Sequence, residues 1–565
     1  MNRSITLVFS GEAGQGLQTI EDFLVNAFSS THYVFSCSDV MSRVRGGNNT
    51  VEIRVSDSPV SAYKEEIDVL FLLNDHAYSR MDKRITAQTV IVGESDYMNK
   101  DGITTEEINY KEYPFEEMAK EAGGKLFLNT VIFGFAAGMM DLKKDECNSL
   151  ISQKFKEKGS KIIKQNQYAF DLGYKNGIDF VLEDEIAPVG DLKKTYKVLN
   201  GTQAVGIGCL GGGCNFISSY PMSPSTALLE FLANKGMEFD VFVEQAEDEI
   251  AALNMVIGAW YAGARGIATT SGGGFSLMEE AMSLAGITET PCVVHIAQRP
   301  GPATGLPTRT EQGDLFQAVN AGHGEYPKIV LAPGTLEDGV LMGQKAFYLA
   351  DKYQVPVIVL TDQFYLESFG QMERFRLDDK SLSSFVNETN EDYKRYDLSQ
   401  GPISPRGIPG YGKGLIKVDS DEHDEYGYIT EDFDMRTTMH EKRLSKKERV
   451  LQDYFEPKYV GPEKYKNLII SWGSTFGVVK EYVDSIERGD TGFLSIKQLY
   501  PLSPDLKGYF DKAEKIIVIE NNASGQLANL LKLELDVHVD KKILKYNGQP
   551  FSIEDVESRL KEVLK

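Results

Sequence analysis

Short apolar runs closed by glycine or polar residues alternate along this chain with longer stretches of helical period. Near the N-terminus, Ile5–Phe9, Thr50–Val55, Val69–Leu73 and Val90–Val92 read as strands with helices between them. Such β/α alternation predicts a mainly parallel sheet. Residues 184–198 are charged and broken by Pro188 and Gly190, the pattern of a linker. A second alternating series follows. The small, apolar stretch from Gly201 to Cys214 predicts a closely packed helix, then Phe216–Ser219 a strand ending at Tyr220-Pro221. Val241–Glu244, Gly266–Thr270 and Cys292–Ala297 predict strands, with helices over Ala246–Gly263 and Phe275–Ala285. The helix Ala246–Gly263 is apolar almost all round, so it is expected to lie buried in a domain or an interface. From Asp378 to about Pro462 the periodicity fades, which suggests a binding arm or subunit contact. A last series has strands at Leu468–Ser471, Gly492–Ile496 and Lys515–Ile519, with helices from near Thr475 and Gly525. The expected fold class is α/β, with three doubly wound, mainly parallel-sheet domains over residues 1–190, 196–440 and 460–565.

Composition narrows the class. At roughly 150 residues per domain, 565 residues suggest three or four domains. Hydrophobic residues at 42% and charged residues at 25% fit a globular enzyme. No run approaches the ~20 apolar residues of a membrane span. The first residues read as a strand cut short by Gly11 and Glu12, not a signal peptide, so a cytoplasmic location is expected. A net charge of −23 argues against nucleic acid, whose binding draws on Lys and Arg contacts to phosphate. Cys37, Cys147, Cys209, Cys214 and Cys292 lie scattered, without the four clustered thiolates of an iron–sulfur site. Buried reduced thiols and no metal are expected, and the acidic run Asp419–Glu425 reads as a solvated loop.

Several groups could carry chemistry. Gly11-Glu-Ala-Gly-Gln-Gly16 sits between a strand and a helix, where backbone amides can meet a phosphate. Its spacing is G-x-x-G-x-G, not the dinucleotide fingerprint G-x-G-x-x-G, although Asp39 lies about 20 residues beyond. The same glycines would also serve a tight turn with no ligand. Glu247, Asp248 and Glu249 open the buried helix, where acids complement the helix dipole. Gly272-Gly-Gly274 falls at a strand-to-helix turn, where doubly wound sheets meet ligands.

Taken together, Tyr220-Pro-x-Ser-Pro-Ser225, Glu247-Asp-Glu-Ile-Ala-Ala252, Tyr261-Ala-Gly-Ala-Arg265, Thr270-Ser-Gly-x-Gly-Phe-Ser-Leu-Met278 and Gly305-Leu-Pro-Thr-Arg309 resemble the α subunit of the 2-oxoacid:ferredoxin oxidoreductases. Gly11–Gly16 and Arg45-Gly-Gly47 resemble the γ domain that many members fuse ahead of α. Trp472-Gly-Ser-Thr475 and Glu520-Asn-Asn-x-Ser-Gly-Gln-Leu527 resemble the transketolase-C-terminal-like domain. The resemblance runs in one collinear order over nearly the whole chain. It implies thiamine diphosphate and Mg shared with a β subunit, the α side taking the aminopyrimidine ring. A carboxyl at ring N1′ is then required to favour the tautomer that activates the cofactor. The family's spacing puts Glu249 in that role, with Glu247 the fallback and Tyr220 and Pro221 beside the cofactor. Arg309 matches the arginine that binds the substrate carboxylate, a task suited to a planar, permanently charged fork. Ser223 matches a threonine placed beside the substrate. Met222, Ser223 and Gly273 depart from the commonest family pattern, which bears on substrate identity. Gly14, Gly16 and Arg45 are candidate phosphate or coenzyme A contacts.

The resemblance further implies decarboxylation of a 2-oxoacid with coenzyme A, electrons passing to ferredoxin. This sequence shows neither the Gly-Asp-Gly…Asn pattern that binds Mg²⁺ and diphosphate nor cluster cysteines. Both are therefore expected from the β partner, and the acidic surface, which would repel an acidic ferredoxin, fits that division. Alternatives remain open: an indolepyruvate or branched-chain oxoacid enzyme, a nicotinamide-dependent dehydrogenase built on Gly11–Gly16, or a noncatalytic assembly subunit.

Overall fold

The strand Ser4–Glu12 alternates residues buried on both faces, and the chain builds its first sheet around it. The computed structural model describes residues 3–41, 47–100, 108–180, 182, 186–377, 379–486 and 488–564. They form two compact units. One holds Met1–Leu199 with Glu367–Arg374 and Ser552–Ser558; the other holds Asn200–Leu366, Phe375–Phe551 and Arg559–Lys565.

In the first unit, Ser4–Glu12 pairs in parallel with Val69–Leu72, which continues in parallel to Val90–Gly93 and Tyr110–Glu112. This half matches the expected β/α pattern. On its other side Ser4–Glu12 pairs antiparallel with Asn48–Ser56, Leu7 opposite Ile53. Asn48–Ser56 in turn pairs antiparallel with Tyr33–Asp39, a strand the hydrophobic pattern does not show. Ser36 and Ser38 interrupt its apolar run because both hydroxyls donate to the buried Glu21 carboxylate, at 2.5 and 3.3 Å. Burial pushes that carboxyl up to about 7, against the pull of the two serines. No helix separates Asn48–Ser56 from Val69–Leu72 among the described residues, contrary to expectation. Behind the sheet, helices Leu128–Met139 and Ser160–Ile178 approach through Gly134, Gly138, Gly173 and Gly177, where any Cβ would strike the other helix's backbone.

The second unit carries two sheets. Its seven-stranded sheet runs Gln498–Tyr500, Ile329–Leu331, Pro356–Asp362, Cys292–Gln298, Gly266–Thr270, Phe216–Ser219, Phe242–Gln245. All pairs are parallel except Gln498–Tyr500, lent antiparallel by the C-terminal part of the chain. A five-stranded sheet runs Lys458–Val460, Thr491–Ser495, Asn467–Ser471, Lys515–Glu520, Lys541–Leu544, and only its first strand is antiparallel. The helix from Gly201 to Gly211 starts with a reciprocal cap, Asn200 accepting from the Gln203 amide while Gln203 accepts from Asn200.

The stretch after residue 378 is no free arm. Arg395 and Arg406 are buried, the first donating to the Glu289 carbonyl at 2.6 Å and the second to Asp351 at 2.5 Å. His423, fully buried, stacks on Tyr396 at 3.9 Å. The segment then ends in an unforeseen helix, Phe433–Val450, whose Lys442 and Lys446 both reach the buried Glu289 carboxylate. Polar residues buried against one another lose the apolar period without losing the fold. Among the described residues no single helix is long and apolar enough to cross a membrane.

Candidate functional site

Strand order places the site. From Phe216–Ser219 the chain steps outward to Phe242–Gln245, then returns to the other side with Gly266–Thr270. The crevice beyond the carboxyl ends of Phe216–Ser219 and Gly266–Thr270 is therefore a topological switch point, where open α/β sheets bind ligands. Both loops leaving it carry quoted motifs, Tyr220–Ser225 on one side and Ser271–Gly274 on the other.

Glu249 is the first residue of the helix Glu249–Tyr261, whose N-cap Asp248 accepts from the Ala251 amide at 2.8 Å. Capping with Asp248 turns Glu249 inward and leaves Glu247 exposed. Glu249 retains 3% of its surface, and its Oε1 has no hydrogen-bond partner in the chain. Buried carboxylate oxygens are nearly always paired, so an orphan there calls for a ligand or a function. The oxygen faces the glycine turn. A Cβ on Gly274 would stand 2.5 Å from Glu249 Oε1 and would overlap Thr270 Oγ1, a second buried oxygen without a partner. The turn therefore lacks a side chain where an acid needs room. The expected helix over Phe275–Ala285 is in fact two, Gly272–Phe275 and Glu279–Ile287, broken just past this turn.

The predicted burial of the Ala246–Gly263 helix holds for one face only. Leu253, Val256 and Trp260 are buried, whereas Ile250 and Met255 stay 52% and 40% exposed, as does Phe242 at 62%.

Tyr220 is exposed, whereas Pro221 and Ser223 are partly buried. The Ser223 carbonyl accepts from Arg299 at 2.7 Å, and Ser271 donates to Met222 Sδ at 2.7 Å. Arg309 lies half-buried, and burial lowers the pKa of its guanidinium. Its loop is clamped by the tail of the chain. The Gln312 amide donates to the Asn521 carbonyl at 2.7 Å, while its side chain accepts from the Asn521 amide at 2.9 Å and donates to the Trp472 carbonyl at 2.7 Å. Asn522 donates to the Gln312 carbonyl at 3.1 Å and to Glu520 at 2.9 Å. The motifs around Trp472 and Glu520 thus brace the Gly305–Leu315 loop.

Two groups that the sequence did not flag adjoin these residues. Asp314 directs its carboxylate at Gly272, where a Cβ would come within 2.5 Å of Oδ1, and its buried Oδ2 has no partner in the chain. Burial, helped by Glu311 and opposed by Arg299, raises its pKa to about 7. Arg299, next to the strand end at Gln298, is the other. Asp314 lies just beyond the motif Gly305–Arg309, and only the fold shows which way it points. His295, between Thr269 and Thr361, bonds both hydroxyls at 2.7 and 2.8 Å; burial lowers its pKa to about 3, so it is a neutral structural residue.

Gly14 and Gly16 belong to the first unit, whereas Ser223, Glu249 and Arg309 belong to the second. Both glycines adopt positive φ, 98° and 81°, and Gly16 caps the following helix. Gln15 holds the loop on itself, accepting from the Glu12 amide and donating to the Leu73 carbonyl. Arg45 lies outside the described residues. Asp39 does not complete a dinucleotide site: its strand is separated from Ser4–Glu12 by the antiparallel strand Asn48–Ser56, and it pairs with Arg80 at 2.7 Å. All five cysteines are buried free thiols.

Comparisons with known proteins agree with this layout. The family model described as pyruvate flavodoxin/ferredoxin oxidoreductase, thiamine diP-bdg, matches residues 207–442. A second, pyruvate ferredoxin/flavodoxin oxidoreductase, matches residues 6–176. The 2-oxoacid:ferredoxin oxidoreductase subunit alpha of Sulfolobus sp is 30% identical over 627 residues, covering 99% of this chain and 97% of its own. The 2-oxoglutarate oxidoreductase subunit KorA of Mycobacterium tuberculosis is 25% identical, covering 98% and 90%. Among solved structures, the 2-oxoglutarate:ferredoxin oxidoreductase from Magnetococcus marinus, with 2-oxoglutarate, coenzyme A and succinyl-CoA bound, superposes with a TM-score of 0.92 at 30% identity over 100% of both chains. A thiamine-binding family model over the switch-point sheet, a second model over the first unit, and alpha-subunit relatives aligned nearly end to end converge: the chain belongs to the 2-oxoacid:ferredoxin oxidoreductases.

Proposed function

We propose that this chain, in the cytoplasm with a β partner, takes up a 2-oxoacid and oxidatively decarboxylates it with coenzyme A to acyl-CoA and CO2, electrons leaving to ferredoxin. The observation that carries the site assignment is the Glu249 carboxyl, buried with an unpartnered oxygen at a glycine turn on the topological switch point. Thiamine diphosphate supplies an electron sink for the carbanion left by decarboxylation. Residues of this chain fit its aminopyrimidine. Glu249 offers a carboxyl with a free lone pair and can hold a proton at N1′, while Gly274 leaves the ring's edge room. Glu247, exposed, is the poorer candidate for a group that must be shielded from water. Tyr220 and Pro221 would flank the cofactor.

For the substrate, Arg309 provides a guanidinium fork for the carboxylate and the Ser223 hydroxyl a donor beside it. Diphosphate, Mg²⁺ and the iron–sulfur cluster fall to the partner, and the exposed Phe242, Ile250 and Met255 offer it an apolar face. Gly14, Gly16 and Arg45 remain candidates for coenzyme A or phosphate. Free buried thiols suit a reducing compartment. Antiparallel pairing around Asp39 removes the support for a nicotinamide site on Gly11–Gly16. The test is co-expression with the partner subunit and assay of coenzyme A-dependent ferredoxin reduction on pyruvate, 2-oxoglutarate, branched-chain oxoacids and indolepyruvate. Turnover of one class supports the reading. No turnover on any, from a complex loaded with thiamine diphosphate and cluster, would refute it.

A further inference from the structure

The residues set to meet substrate do not stand alone. Arg299 is half-buried and tied by one nitrogen to the Ser223 carbonyl at 2.7 Å. Its neighbour Gln298 accepts from the Asp314 amide at 2.9 Å, so Arg299 and Asp314 are fastened to the same strand end. Asp314 meanwhile points at Gly272 with Oδ2 buried and unpartnered. One turn, Gly272–Gly274, therefore makes room for two carboxyls that each bury an unpartnered oxygen, Asp314 at its first glycine and Glu249 at its third. At the middle glycine the nearest atom to a Cβ would be the Ala303 carbonyl oxygen at 3.7 Å, which sets the loop leading to Arg309 beside the same turn.

We propose that Asp314 is a specificity-positioning residue: as the counter-charge of Arg299 it decides whether that guanidinium is available to a second carboxylate on the oxoacid. The inference rests on the proposed reading of Ser223 and Arg309 as the substrate end of the site. Arg309 answers the carboxylate that every 2-oxoacid carries. Arg299, one residue pair away through Ser223, is a second cation that only a dicarboxylic 2-oxoacid can use. With Asp314 ionised, its charge offsets part of the Arg299 charge and a dianion gains less; with Asp314 neutral, the full charge acts. The charged groups facing Asp314 are Arg299 from the strand end, Glu311 on its own loop and Glu249 across the glycine turn. The helix Gln526–Leu535 brings the neutral Gln526 to Gly313 and Phe316, and the helix after Asp314 brings Gln317 to Gly272. Asp314 titrates at about 7, so the balance shifts within the working range.

The experiment uses the assembled enzyme and compares kcat/KM for 2-oxoglutarate with that for pyruvate. Asp314→Asn keeps the shape and removes the charge. Measured well above pH 7, where Asp314 is ionised, it should raise the ratio tenfold or more, the least that one charge contributes at an effective dielectric near 20 within roughly 12 Å. Arg299→Gln should lower the ratio, and adding Asp314→Asn to it should change nothing further, because the carboxylate acts only through the guanidinium. Unmodified enzyme gives an independent reading that needs no variant: the ratio should fall as pH rises through about 7, and Asp314→Asn should flatten that dependence. A ratio indifferent to pH, or equal effects of Asp314→Asn with and without Arg299, overturns the proposal. Turnover of oxoacids with an unmoved ratio defeats this inference alone, whereas no oxoacid turnover at all defeats the proposed function and this with it.

Discussion

One methyl group in the glycine turn should separate catalysis from folding. Gly274→Ala would place a Cβ over Thr270 Oγ1, 2.5 Å from Glu249 Oε1 and 2.8 Å from its Cγ. Ordinary contact starts at 3.4 Å, so the carboxyl has to retreat by about 0.9 Å. A misplacement of about 1 Å in a catalytic group can cost on the order of 10²-fold in rate. The fold should suffer less. Overpacking costs about 1–3 kcal/mol, offset in part by the roughly 0.5–1 kcal/mol that alanine gains over glycine in a helical turn. Gly273→Ala is the control one residue away: its nearest neighbour is the Ala303 carbonyl oxygen at 3.7 Å, so the methyl fits. That variant should keep near-normal turnover and lose no stability. The assay is oxoacid-dependent reduction of ferredoxin by the assembled enzyme, alongside thermal unfolding of each variant. Normal kcat in Gly274→Ala, or equal damage from both alanines, would refute the claim that this turn makes room for a working Glu249.

Glu249→Gln should cost roughly 10²–10⁴-fold in decarboxylation with folding intact, and Glu247→Gln little; the reverse outcome moves the acid to Glu247. Ser223→Ala should weaken oxoacid use by about 1 kcal/mol, and Ser223→Thr should penalise bulky oxoacids more than small ones; kcat/KM on a substrate series decides it. Glu289→Gln leaves Lys442 and Lys446 buried without their counter-charge and should destabilise by about 3–5 kcal/mol, read as a lower unfolding midpoint. Burial would raise the Glu289 pKa, but Lys442, Lys446 and Arg395 hold it far below the usual carboxylate range. Its stabilising share is thus present above the unfolded value and lost only as pH falls through the folded one; the Gln variant should lack that acid loss.

Legibility followed the physics of each segment. In the switch-point sheet, Gly266–Thr270 and Phe216–Ser219 were readable to the residue because they are apolar strands bounded by turn residues. Tyr33–Asp39 was not, because Ser36 and Ser38 spend their hydroxyls on a buried acid instead of presenting apolar faces. Phe433–Val450 was missed for a related reason: its inward positions include Lys442, Arg443 and Lys446, which sequence patterning scores as solvent-facing. Charge buried against charge looks like surface until the partner is known.

The site divides along the same line. The resemblance proposes Glu249 with Glu247 as fallback; the cap separates the two by burial. Asp248 accepts from the Ala251 amide, which fixes the helix start and turns Glu249 toward the glycines and Glu247 toward water. Asp314 had no such local signature, since its meaning lies in residues more than forty positions away at Gly272. The tail motifs around Trp472 and Glu520 were visible as patterns, yet their purpose is also distant. They hold the Gln312 side-chain amide at both its oxygen and its nitrogen and also its backbone carbonyl, and so fix the loop on which Arg309 and Asp314 sit. A change made in that tail would therefore act on the loop's position.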